Sequence, residues 1–220
     1  AKDLPAVTPA GLVIAAVPER ADARDVLVGC RLADLRPGAV VATGSPRRRS
    51  QLAGLRPDLR FEELRGNIDT LLTKASQFDA IVMAAAALDR LGRRPAVVDH
   101  LPVDVMVPQV GQGALAVECR QDDRRLVASL SGLDHPRTRR TLEAERSFLT
   151  ALGGDCDLPA GAHAVLVGPG PEPTEVELTG VLAASRDGAM SRVVERGADA
   201  ESLGATVAER LLGAVGGSAR

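Results

Sequence analysis

Three consecutive arginines, Arg47, Arg48 and Arg49, follow the small-residue turn Ala42-Thr43-Gly44-Ser45-Pro46. Guanidinium forks bind carboxylates or phosphates bidentately, and each charge-assisted hydrogen bond contributes roughly 1.5–3 kcal/mol. Arginines in the first turn of a helix oppose its dipole, so local helix stability does not account for them. A ligand with several anionic groups does; a solvated basic face is the plain alternative. Arg65 and Arg90 each lie near the carboxyl end of a predicted strand and extend the set. Arg49 is the member expected to point away. Cys156 follows Gly153-Gly154-Asp155 and precedes Asp157. Flanking carboxylates oppose a thiolate, so the local chemistry suits an inert thiol, or an attachment point formed once, better than a freely reactive nucleophile. Asp3 beside Lys2 reads by itself as a surface pair. His100, His135 and His163 have no metal-ligand spacing, so no metal site is expected. Neither a Walker A nor a GxGxxG pattern is present.

The elements that must position these residues follow from period and punctuation. The apolar run Gly38 to Thr43 reads as a buried strand, broken by Gly44. Ser45 can cap a helix with Pro46 at its first position, leaving free N–H groups at the positive end of the dipole. Further strands are predicted at 11–17, 26–30, 59–64 and 78–84, with helices from Ile68 to Ser76 and Ala85 to Leu91. That alternation predicts an α/β layer with a mostly parallel sheet, and ligands at the strands' carboxyl ends. Pro95 to Pro108 reads as a crossing. Val110 to Arg120 reads as a Gly-Gln-Gly turn running into a strand, and helices are expected at 122–130 and 135–152. Three antiparallel strands (164–167, 175–184 and 192–195) and a closing helix at 200–215 form a separate α+β unit.

The chain has 220 residues, 45% hydrophobic and 25% charged, with a net charge of −2. Such a chain is not a bulk nucleic-acid binder. With three Phe and no Tyr or Trp, it has no base-stacking platform either. No 18-residue apolar run or signal peptide is present. Cys30, Cys119 and Cys156 form no CxxC, which suits a reducing cytoplasm. No membrane or nucleic-acid partner is expected, and a monomer is.

Seven segments together resemble the hydroxymethylbilane synthase family, also called porphobilinogen deaminases. The tail of the family's H-S-x-K-D-(L/V)-P is similar to Ala1-Lys2-Asp3-Leu4-Pro5, and its E-R-x-D-x-R-D to Glu19 through Asp25. G-T-S-S-L-R-R-x-x-Q-L resembles Ala42 to Leu52, and R-G-N-(V/I)-D-T-R-L resembles Arg65 to Leu72. The remaining three lie at Ala84 to Gly92, Pro108 to Arg120 and Glu145 to Ala162, in the family's order. The resemblance implies a transferase that deaminates porphobilinogen and condenses four molecules into a linear tetrapyrrole. It implies a dipyrromethane cofactor on Cys156 through a thioether, and Asp3 as a buried catalytic carboxylate that stabilises cationic pyrroles. It assigns Lys2, Ser45, Arg47, Arg48, Arg65, Arg90 and Gln112 to the carboxylates of the cofactor and the growing chain.

The implied fold is α/β: two lobes like those of periplasmic binding proteins around a cleft, plus a small C-terminal α+β domain bearing the cysteine. Residues 1–17 and 108–134 would be remnants of the first domain, 18–107 the second and 135–220 the third. Because the family's upstream part has no counterpart here, a fragment is expected. Leu71 replaces a family arginine and Asp155 a glycine, and both changes weaken anion binding. A non-catalytic polycarboxylate-binding module is the second reading.

Overall fold

The computed structural model describes residues 1–153, 159–170, 173–184 and 190–217. Strand β1 (Leu12–Ala16) comes first, then β2 (Asp25–Val28), β3 (Val40–Ala42), helix α1 (Pro46–Leu55), β4 (Arg60–Glu62) and α2 (Ile68–Lys74). Next are β5 (Ala80–Ala84), α3 (Ala85–Arg90), β6 (Val98–His100), β7 (Val117–Arg120) and α4 (Arg124–Leu130). The chain continues through α5 (Pro136–Ala151), β8 (Ala160–Val167), β9 (Glu175–Ala183), β10 (Met190–Gly197) and α6 (Ala200–Gly217).

A five-stranded sheet runs in the order β4-β3-β5-β2-β6. Strand β3 is parallel to β4 and β5, whereas β2 is antiparallel to both β5 and β6. Four strands therefore point one way and β2 runs against them, a refinement of the mostly parallel sheet expected. Period-two alternation splits the side chains between two layers. Leu27, Val41, Ala80 and Val82 pack on Leu52 of α1. Val26, Val28, Ala42, Ile81 and Met83 pack with Leu88 of α3 and Ile68, Leu71 and Leu72 of α2. Leu71, where the family has arginine, thus fills an apolar layer. The crossing expected at 95–108 contains β6, whose Val-Asp-His sequence carries no period to reveal it.

β1 and β7 pair antiparallel as a sheet of their own, with an irregularity between Ile14 and Ala16. The Gly-Gln-Gly turn is present, with Gly111 and Gly113 at φ values of 69° and 81°, and the strand expected after it begins at Val117. The C-terminal unit is the antiparallel sheet β10-β9-β8 under α5 and α6. Its core centres on Phe148, Leu178, Val207 and Leu211, all 0% exposed. Truncating Phe148 to Ala would cost about 3–5 kcal/mol. Cys156, Asp155 and the predicted Asp187-Gly188 turn lie outside the described residues, as do the last three residues of the tail. Among the described residues, no helix is long and apolar enough to cross a membrane.

Candidate active site

The site begins where β3 stops. Ser45 is the N-cap of α1, and its Oγ accepts the Arg48 backbone N–H at 3.4 Å, with Pro46 at the first helical position. A Cβ on Gly44 would lie 2.9 Å from both Arg65 Cγ and the Leu64 carbonyl oxygen. The turn after β3 therefore packs on the turn after β4, as parallel neighbours require. Arg65 is exposed there and donates to Glu63 Oε1 at 2.6 Å. An exposed pair of this kind contributes little to stability, so the guanidinium can exchange partners at small cost.

Arg47 and Arg48 turn inward to one carboxylate. Asp25, the first residue of β2, is 0% exposed. Its Oδ2 accepts Arg47 Nη1 at 2.8 Å, and its Oδ1 accepts Arg48 Nε at 3.0 Å and Arg48 Nη2 at 2.8 Å. Gln112 Nε2 donates to the same Oδ1 at 3.0 Å and to the Ala23 carbonyl at 2.7 Å. Burial pushes the Asp25 pKa up, but Arg47, Arg48 and the hydrogen bonds outweigh it and hold the value down to about 2. Arg47 also donates to the Val107 carbonyl at 2.6 Å, and its Nε is buried without a partner.

The N-terminal segment closes on the same place. The turn 111–113 carries Gln112, and a Cβ on Gly111 would lie 3.1 Å from Ala1 Cβ and 3.2 Å from Lys2 N. The Ala1 ammonium donates to the Ala114 carbonyl at 2.8 Å. Lys2 is partly buried; desolvation, then Arg48, lowers its pKa, with Arg47 adding to the effect. Three cations, Lys2, Arg47 and Arg48, thus surround one buried carboxylate. Asp3 is exposed rather than buried as the resemblance implied. Its backbone follows the two residues that pack on the glycine turn, and among the described residues no element covers it.

Lys2, Arg47, Arg48 and Gln112 come together, with Ser45 at the head of the same helix. Arg90 is exposed at the last residue of α3, where it complements the dipole, and makes no hydrogen bond or ion pair with this group among the described residues. Arg49 lies apart, its guanidinium 5.9 Å from the Phe61 ring centroid. From the C-terminal unit, β8 abuts the cluster. A Cβ on Gly161 would lie 2.9 Å from Arg47 Cδ and 2.6 Å from the Pro108 carbonyl oxygen, and Ala162 N–H donates to that oxygen at 3.0 Å. Cys156 precedes β8 in sequence.

Two buried acids escape the sequence reading. Asp25 is one, disguised as the end of a charged stretch. Glu145 on α5 is the other, 0% exposed. It accepts Arg20 Nη1 at 2.6 Å and Nη2 at 3.1 Å, Gly111 N–H at 2.8 Å and Ala164 N–H at 2.9 Å. His163 Nδ1 is 3.6 Å away; burial lowers that imidazole's pKa, against the pull of Glu145. The available signal was position: Glu145 lies three residues from both Leu142 and Phe148, on the helix's apolar stripe.

Comparison with known proteins agrees with this arrangement. Residues 1–128 match the family model described as "Porphobilinogen deaminase, dipyromethane cofactor binding domain", and residues 140–213 match "Porphobilinogen deaminase, C-terminal domain". A porphobilinogen deaminase of Brevibacillus brevis is 47% identical over 216 residues, 96% of this chain and 69% of that protein. One from Geobacillus kaustophilus is 49% identical over 209 residues, 92% of this chain and 66% of the relative. One from Bacillus subtilis is 43% identical over 209 residues, 92% of this chain and 65% of the relative. The chain spans about two thirds of these relatives' length. A family model that covers residues 1–128, more than half of the chain, and a relative 47% identical over 69% of its own length show that the chain belongs to the porphobilinogen deaminase family.

Proposed function

We propose that this chain is the transferase that deaminates porphobilinogen and joins four molecules head to tail into hydroxymethylbilane, in haem biosynthesis. The observation that carries the reading is the gathering of Lys2, Arg47 and Arg48 near Asp25, with only Asp3 as a further carboxylate acting on Lys2. A cation excess in a partly desolvated place is costly unless an anion joins it. Porphobilinogen bears an acetate and a propionate, so cofactor and product chain together form a polyanion. The donor set and the unpartnered Arg47 Nε fit such a group.

When bound, the dipyrromethane supplies the free pyrrole α-carbon to which substrate is added, and Cys156 holds it by a thioether. Lys2, Ser45, Arg47, Arg48, Arg65 and Arg90 bind the acetate and propionate groups, and Gln112 orients the wall between them. Asp3, exposed beside Lys2, is open to a ligand. Its carboxylate would stabilise the positive charge that develops on the pyrrole as the aminomethyl nitrogen leaves as ammonia, and would handle protons there. Asp25 takes no part in proton transfer, because it stays ionised at any working pH.

The three sheets suggest the division of labour. Residues 18–107 form one lobe, 1–17 with 108–134 belong to the other, and 135–220 carry the cofactor cysteine beside the cleft between the lobes. A cytoplasmic monomer completes the reading. Intact-protein mass spectrometry tests it: the purified chain should carry two extra pyrrole units on Cys156 and colour with Ehrlich's reagent. An active protein with a bare thiol would refute it.

A further inference from the structure

Asp25 receives more of the site's hydrogen bonds than any ligand-facing residue does, yet it cannot touch a ligand. It is 0% exposed, and four donors from three side chains occupy it: Arg47 Nη1, Arg48 Nε and Nη2, and Gln112 Nε2. Three of these donors converge on Oδ1 and one, Arg47 Nη1, meets Oδ2, so both carboxylate oxygens are held by protein partners. These donors come from separate parts of the chain, the first turn of α1 and the turn 111–113. Its backbone is fixed as well. The Asp25 carbonyl accepts Leu101 N–H at 2.9 Å, the Arg24 carbonyl accepts Ala85 N–H at 3.0 Å, and Asp25 stands in register with Ala84.

We propose that Asp25 is the positioning residue of the carboxylate-binding site: it fixes the orientation of Arg47, Arg48 and Gln112, and thereby sets the site's affinity for polycarboxylates. The inference rests on the polycarboxylate reading above. A guanidinium recognises a carboxylate bidentately only when its plane is held, and a freely rotating fork loses rotamer entropy on each binding event. Asp25 engages the Nε edge of Arg48 and one Nη of Arg47, leaving the other donors for use elsewhere.

Charge and position make opposite predictions for Asp25→Asn. The substitution keeps the shape but removes the buried anion that pairs with Arg47 and Arg48. If attraction alone governs binding, the variant binds carboxylates more tightly. If orientation governs it, binding weakens, because the new amide turns donors toward guanidinium donors.

The experiment titrates the full chain, wild type and Asp25→Asn, with porphobilinogen and with benzene-1,3,5-tricarboxylate in a calorimeter. The expected result is about tenfold weaker binding of both probes by the variant, with loss of the protected Arg48 Nε–H signal in the nitrogen-15 NMR spectrum. The Arg56 signal, from the pair with Asp58, should stay unchanged. Equal or tighter binding by the variant overturns the proposal. Wild type that binds the tricarboxylate but not porphobilinogen refutes the porphobilinogen reading, and the Asp25 comparison is then read from the tricarboxylate. Wild type that binds neither refutes both. If Asp25→Asn does not fold, Arg48→Lys keeps the charge and loses the fork; it should also bind about tenfold more weakly, and unchanged affinity overturns the proposal. If the single variants fold, Asp25→Asn with Arg48→Lys should bind no more weakly than the weaker of them. Additive losses would mean that Asp25 does not act through Arg48.

Discussion

Arg20 and Glu145 are 125 positions apart in sequence and 2.6 Å apart in the fold. The pair ties the segment after β1 to α5 of the C-terminal unit, and Glu145 also holds backbone N–H groups of the Gly-Gln-Gly turn and of β8. One buried acid therefore sets how the C-terminal unit meets the arginine wall. Breaking such a pair from one side strands a buried charge, at about 3–5 kcal/mol. Glu145→Ala should lower the unfolding free energy from urea titration by that amount, since it also orphans the Gly111 and Ala164 N–H groups. The Arg56–Asp58 pair at the surface is the control: Asp58→Asn should leave the urea midpoint nearly unchanged.

Gly161→Ala should damage ligand binding without removing any ligand-binding group. The added methyl would meet the Pro108 carbonyl and Arg47 Cδ, and the backbone oxygen cannot yield as a side chain can. Overpacking of this kind costs about 1–3 kcal/mol. The expected outcome is a lower melting temperature together with weaker porphobilinogen binding. A variant with wild-type affinity would show that β8 does not brace Arg47.

Arg47→Ala should abolish cofactor loading, whereas Arg49→Ala should leave it intact. The first removes a buried partner of Asp25, the second a guanidinium that lies over the Phe61 ring and not on Asp25. The mass of the purified chain reads both results directly. Equal loss in the two variants would refute the assignment of faces to the arginine triplet.

Acid should unfold the protein partly through Asp25. Its folded pKa of about 2 lies below the ordinary 3.8, so its contribution is present in full above pH 3.8. That contribution disappears as the pH falls through the folded value. At about 1.4 kcal/mol per pKa unit, Asp25 supplies roughly 2 kcal/mol. Stability measured from pH 5 to pH 2 should fall less steeply in Asp25→Asn than in the wild type.

Local chemistry made part of this molecule legible. The Ser45 cap, Pro46 and the preceding apolar run specify strand, turn and helix within a few residues. The stripe on α5 and the unbroken apolar run of β5 did the same. What stayed hidden depends on distant partners. Asp25 looks like the last of a charged run until Arg47, Arg48 and Gln112 are brought to it from later in the chain. Glu145 looks like one more surface acid on a helix. Strand β6 is recognisable only by its pairing with β2. The exposure of Asp3 follows from how Ala1 and Lys2 pack on Gly111, a contact no local pattern announces.

The reversed direction of β2 has a consequence for how the site is addressed. In a sheet whose strands all point one way, the rim that meets ligands receives strand ends, and its chemistry is delivered by the loops that follow. One strand of opposite polarity delivers its beginning to that rim instead. Asp25 arrives there by ladder pairing with Ala84 and Leu101, with no loop between it and the sheet. The arginines ride on a helix terminus, but their counter-ion is part of the weave. Loops around it can vary in length and sequence while the charge at the centre keeps its coordinates.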